Sequence, residues 1–260
     1  VVRTALEQLA EAGLGDEPVA AVLARVSVSN DLVNALGEVD YVQENAPEQL
    51  DVKQALFAQM DQLASPGAIL ASSSSSLTCT QVCEGLPGRA RCIVAHPANP
   101  PHLLRAVELV PAAFTDPAVT ARAGEVLRRA GQVPVVIGEI EGFVMNRLQA
   151  ALAREALALV GQGIANAAGI DDIVKHSLGL RWAFMGPFET MDLNAPGGFA
   201  ASYGVAFASL FGEDRWPEGA VGMVDAAMRA AVPLDVLEGR RGWRDRRLVA
   251  LMRHQREQPD

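Results

Sequence analysis

The chain has 260 residues, 50% hydrophobic and 20% charged, a balance that gives one or two folded domains and excludes a disulfide-stapled mini-protein, a disordered chain or a fibre. Thirty-one acidic against 22 basic side chains leave a formal net charge of −9, which disfavours nucleic acid and anionic lipid as partners. Cys79, Cys83 and Cys92 lack CxxC spacing, so no disulfide framework or metal site is expected and a reducing, cytoplasmic setting fits. The uncharged stretches 62–83 and 193–212 are interrupted by Pro, Gly, Asn and serines, so no membrane segment is expected. The chain opens Val1-Val2-Arg3, with no basic-then-apolar leader.

Residues 1–138 alternate helical patterns with short β-branched runs, which predicts a layered α/β domain with parallel strands. Strands are expected at 39–44, 68–72, 92–95, 106–110 and 133–137. Between the first two, Pro47 suits a first helical turn, and Leu50, Leu56, Phe57, Met60 and Leu63 follow at helical spacing. Crossover helices are expected at 76–86, with Ser75 or Ser76 as its cap, and at 116–130. After Gly138 the strand signals stop. An all-helical domain, 139–260, is expected, with Leu148, Leu152 and Leu159 marking an apolar stripe and further helices at 171–178, 199–211, 218–231 and 235–256. The arginines at 240, 241, 244, 246 and 247 read as a solvated helix face.

The segment CIVAHPANPP carries the most chemistry. His96 falls where an apolar strand ends, at the carboxyl edge of the expected sheet, where open α/β sheets build their sites. Glu108 lies inside the otherwise apolar AVELV, and a carboxylate there needs a partner. An imidazole would serve, and the pair would make His96 a general base; the spacing alone more often marks a structural histidine. Ser75 ends a strand near the same edge, and Asn146 opens the first helix of the second domain, where it could face the same cleft or simply cap and pack.

The phrases PEQLDVKQALFAQMDQL, ILASSSSSL, CIVAHPANPPHLLRAVELV, GFVMNRLQ, LGLRWAFMGPFETMDLNAPGG and WRDRRLVALM, in this order, resemble the 3-hydroxyacyl-CoA dehydrogenase family, most closely its branch containing lambda-crystallin, or L-gulonate 3-dehydrogenase. The resemblance implies a Rossmann-like domain followed by an all-α domain, NAD as cofactor and a homodimer. It also implies NAD-dependent oxidation of a 3-hydroxy acid or 3-hydroxyacyl-CoA. It carries over His96 as catalytic base, Glu108 as its partner, and Ser75 and Asn146 as groups that hold substrate. Glu48, Lys53, Ser75 and Asn99 are carried over as cofactor contacts. Arg181, just before Gly186-Pro187-Phe188, is a candidate anchor for a substrate carboxylate, with a surface arginine as the alternative.

The chain departs from the family at its start. A dinucleotide fold should show GxGxxG between a strand and a helix. Gly13-Leu14-Gly15 lacks the third glycine and follows a helical pattern instead, so an N-terminally truncated Rossmann-like domain is expected. Two other readings compete. One is a non-catalytic, crystallin-like structural or binding protein. The other is a hydrolase using Ser75, His96 and Glu108, which lacks a GxSxG elbow.

Overall fold

A computed structural model describes residues 2–195, 197–201 and 219–257. They divide into two compact units, Val1–Ala153 and Arg154–Asp260. The first unit begins with three helices, α1 (Val2–Glu11), α2 (Val19–Leu23) and α3 (Leu32–Leu36). Strands and helices then alternate as β1 (Tyr41–Glu44), α4 (Leu50–Leu63), β2 (Ile69–Ser72), α5 (Cys79–Cys83), β3 (Cys92–Pro97), β4 (Ala106–Val110), α6 (Pro117–Arg129) and β5 (Val133–Val136). All five strands lie within two residues of their expected bounds.

The strands form one sheet in the order β1-β2-β3-β4-β5. β1, β2 and β3 are parallel, as are β4 and β5, but β4 runs antiparallel to β3. The sheet is therefore mostly parallel, as expected, with one antiparallel pair that the sequence reading did not anticipate. The cause is the short link, residues 98–105: a parallel return needs a crossover of about a dozen residues or more. Its consequence is the register, which sets His96 directly opposite Glu108.

Side chains alternate across the sheet. Leu70, Cys92, Val94 and Val110 face a cluster built with Phe57 and Met60 of α4, Val82 of α5 and Phe143. Ile69, Ala71, Ile93, Ala95, Val107 and Leu109 face Val119 and Ala123 of α6. Phe57 is fully buried, and its replacement by Ala is of the kind that costs about 3–5 kcal/mol. Ser72, His96 and Glu108 continue the first face but are polar, and all are buried.

Two helix starts differ from expectation. α4 begins at Leu50 and leaves Pro47 outside it. α5 is shorter than expected and is capped by Thr78, whose hydroxyl accepts from the Gln81 N–H while the Gln81 side chain accepts from the Thr78 N–H. This reciprocal pair fixes the start, so neither Ser75 nor Ser76 is the cap. Asp116 caps α6, with Pro117 in its first turn. The three cysteines are free and buried. Hydrogen bonds from Cys79 and Cys92, then burial, push the Cys83 thiol up, so it stays protonated.

α7 (Phe143–Gly161) starts in the first unit. The second unit contains α8 (Ala167–Ile173), a π turn (Val174–Leu178), α9 (Gly179–Trp182), α10 (Pro187–Asn194), α11 (Ala220–Ala231) and α12 (Leu237–Glu257). Most of the helix expected at 199–211 lies outside the described residues. The C-terminal arginines are not uniformly solvated. Arg240 pairs with Glu189 and stacks 3.5 Å from the Trp243 ring centroid, and Arg241 donates to the carbonyls of Leu193 and Ala195. They tie α12 to α10, while Arg246 and Arg247 are exposed. Asp192, almost fully buried, accepts from Arg229 and the Phe199 N–H. No helix of the described residues is long and apolar enough to cross a membrane.

Candidate active site

The antiparallel β3–β4 pair brings the expected His96 and Glu108 together. His96 Nδ1 lies 2.8 Å from Glu108 Oε2, with both side chains nearly buried. The second carboxylate oxygen accepts the N–H groups of Val144 and Met145, each at 2.9 Å. These belong to the first turn of α7, whose N-terminal N–H groups have no partner within the helix and carry its positive dipole end. Gly142 and Phe143 both have positive φ, 74° and 51°. For a phenylalanine this is strained, and packing holds it: the ring is fully buried, its centroid 5.5 Å from that of His96.

Glu108 therefore has both oxygens engaged. When the ring is neutral, its bond to Nδ1 places the proton there and leaves Nε2 as the acceptor nitrogen. Nε2 has no hydrogen-bond partner among the described residues. This is the arrangement of an imidazole that can take a proton at Nε2 while a fixed carboxylate faces the resulting cation.

Ser75 and Asn146 are also brought together: Asn146 Nδ2 donates to the Ser75 carbonyl at 2.7 Å. The Ser75 side chain is exposed, and its hydroxyl makes no hydrogen bond among the described residues, including to His96. A Ser–His nucleophile pair is thus not formed, which removes the support for the hydrolase reading. Asn99 is exposed, joined to Pro100 by a cis peptide bond.

Glu48 and Lys53 sit at the carboxyl ends of β1 and β2, but their polar atoms are turned into the fold. Lys53 is 1% exposed and donates to both oxygens of Glu44, at 2.9 and 3.0 Å, and to the Ala46 carbonyl. Glu44 also accepts from the Ser72 hydroxyl at 2.6 Å. Glu48 is bound by the serine turn after β2. Burial by itself would raise its pKa, but hydrogen bonds from Ser74, Ser76 and Leu77 outweigh that and bring it down to about 2. Sequence reasoning missed Glu44, Ser72 and Ser74. The signal was present for Glu44, a carboxylate closing a strand nine residues before a lysine. Arg181 belongs to the second unit, half-buried, with no side-chain hydrogen bond among the described residues.

The family model for the 3-hydroxyacyl-CoA dehydrogenase NAD binding domain matches residues 1–140, and that for the C-terminal domain matches residues 142–227. The chain belongs to the 3-hydroxyacyl-CoA dehydrogenase family. Lambda-crystallin of Oryctolagus cuniculus is 41% identical over 90% of this chain and 76% of its own length. A 3-hydroxyacyl-CoA dehydrogenase of Gibberella moniliformis is 40% identical over 65% of this chain and 53% of its own. An L-carnitine dehydrogenase of a Pseudomonas species is 41% identical over the same shares. Among solved structures, the 3-hydroxyacyl-CoA dehydrogenase of Archaeoglobus fulgidus superposes with a TM-score of 0.72 at 25% identity, covering 96% of this chain and 88% of that one.

Family membership makes the chain an NAD-dependent dehydrogenase acting on a hydroxy acid. Of the residues expected to contact NAD, Ser75 and Asn99 are exposed and so open to a bound group. The turn after β2 offers no open pyrophosphate cradle, because the N–H groups of Ser75, Ser76 and Leu77 already point to Glu48.

Proposed function

We propose that the protein oxidises a 3-hydroxy acid or its CoA thioester to the 3-oxo product, with His96 as general base. The observation that supports this most directly is the chain of contacts from His96 to Glu108 to the first turn of α7. NAD, when bound, supplies the hydride acceptor. As hydride leaves the substrate carbon, the hydroxyl proton passes to His96 Nε2, and Glu108 stabilises the imidazolium. The free Ser75 hydroxyl and the Asn146 carbonyl oxygen, whose amide nitrogen is already held by Ser75, orient the substrate oxygen. Asn99 completes the polar lining. Lys53 acts from within the fold, by holding the turn that follows β1.

The substrate class turns on Arg181. A free hydroxy acid brings a carboxylate that a guanidinium can hold with two hydrogen bonds, whereas a thioester has no charge at the reacting end. The test is NADH formation with gulonate and with 3-hydroxybutyryl-CoA. With the free acid as substrate, Arg181→Leu is expected to raise KM by about tenfold or more. Unchanged KM removes Arg181 as the anchor, and preference for the thioester moves the assignment to the CoA branch.

A homodimer is part of the same reading. Leu148 and Leu152, one turn apart on α7, are 59% and 41% exposed, apolar surface that a second copy could cover. Light scattering on the purified chain checks this, and a monomer overturns it.

A further inference from the structure

Glu48 holds five groups of one turn with one oxygen. Its Oε1 accepts from the Ser74 hydroxyl at 2.6 Å, the Ser75 and Ser76 N–H groups at 3.0 Å, the Ser76 hydroxyl at 3.0 Å and the Leu77 N–H at 3.4 Å. Its Oε2 lies 3.5 Å from the Lys53 ammonium, itself fixed by the buried Glu44. Successive backbone N–H groups curled about a point form a nest that attracts an anion. Here the anion is part of the chain, brought in by the turn between β1 and α4.

The effect falls on Ser75. Its N–H is held by Glu48 and its carbonyl by Asn146, so the peptide groups on both sides are fixed, while its hydroxyl is exposed and unbound. We infer that Glu48 is a positioning residue: its carboxylate fills the Ser74–Leu77 nest in place of a bound anion and so presents the Ser75 hydroxyl to the substrate oxygen. The inference rests on the proposed role of Ser75 and assigns Glu48 to the loop and not to direct contact with the cofactor.

The test uses the full chain with Glu48→Ala. Truncation at this partly exposed position opens a space the size of a carboxylate, and acetate can enter it. In spectra of isotope-labelled protein, the amide protons of Ser75, Ser76 and Leu77 are expected to move upfield in the variant and to return on titration with acetate, while wild type is unaffected. At a fixed millimolar concentration of NAD, turnover is expected to fall on the order of 10- to 100-fold and to recover in part with the same acetate dependence, with NAD affinity unchanged within about twofold.

Unmoved amides, or unchanged turnover, overturn the inference. Weakened NAD affinity without rescue by acetate also overturns it and makes Glu48 a direct cofactor contact. If wild type itself turns nothing over, the proposed function fails, yet the amide shifts and the acetate titration still decide whether Glu48 fills the nest.

Discussion

Glu108 and Glu48 solve the same problem at two places on the sheet and do different work. Each is a carboxylate that accepts successive backbone N–H groups from the start of a helical or turn segment, Val144 and Met145 for Glu108, Ser75 to Leu77 for Glu48. Glu108 is nearly buried and gives its remaining oxygen to His96, so its charge reaches a group that can exchange protons. Glu48 has a side chain 39% exposed and faces an ammonium that another carboxylate already holds, so its charge only shapes a loop. The same local device either supports an imidazole or fixes a loop, according to what sits on the far side of the carboxylate.

The comparison is broken most strongly at the imidazole. His96→Ala is expected to cut turnover by about 10²- to 10⁴-fold, the usual worth of a positioned base, and to leave the amide shifts of the serine turn in place. A variant that kept most of the wild-type rate would remove His96 from the mechanism and leave Glu108 as a second structural carboxylate. Glu108→Gln is expected to have a smaller effect on rate, about 10- to 100-fold, as for outer groups that orient a functional imidazole. The amide oxygen can still accept from Val144 and Met145, but the NH2 end then meets Nδ1 and favours the neutral tautomer protonated at Nε2, which is no longer an acceptor. Nitrogen NMR of the labelled ring is expected to show that change of tautomer in the variant. A ring still protonated at Nδ1 would mean that Glu108 does not set the tautomer of His96.

Much of this was legible in the sequence, and the limits have physical causes. All five strands were readable from short apolar runs: β2, β3 and β4 are buried along nearly their whole length, whereas β5 is largely exposed and was legible from its valines alone. The direction of β4 was not read, although the short 98–105 link contained it, and with the direction went the pairing that places His96 beside Glu108. The serine turn was legible as polar and strand-ending but not as a nest. Hydroxyl-rich runs are good caps, and only the return of Glu48 from a neighbouring turn, with Thr78 and Gln81 making a better cap downstream, decides otherwise. Lys53 was readable as a residue near the site, but its burial follows from Glu44, which a pattern centred on exposed chemistry passes over. In the second unit the arginine run looked solvated because charge density says nothing about carbonyls: the last turn of α10 offers such acceptors to Arg241.

The finest distinction between the two carboxylates is in acid. Glu48 has its pKa lowered from 4.5 to about 2 in the folded protein. A depressed carboxylate pKa means that the unfolded chain binds the proton more readily, so the stability this group contributes is complete above 4.5 and fades as pH falls toward 2. Wild type and Glu48→Gln should therefore differ by a constant in urea midpoint above that range. The two curves should converge between 4.5 and about 2. The gap itself will be modest, because the side chain is partly exposed and water screens what it gains. A gap that stays constant from above 4.5 down to about 2 would show that the nest does not favour the ionised form, and Glu48 would then be an ordinary surface carboxylate beside the serine turn.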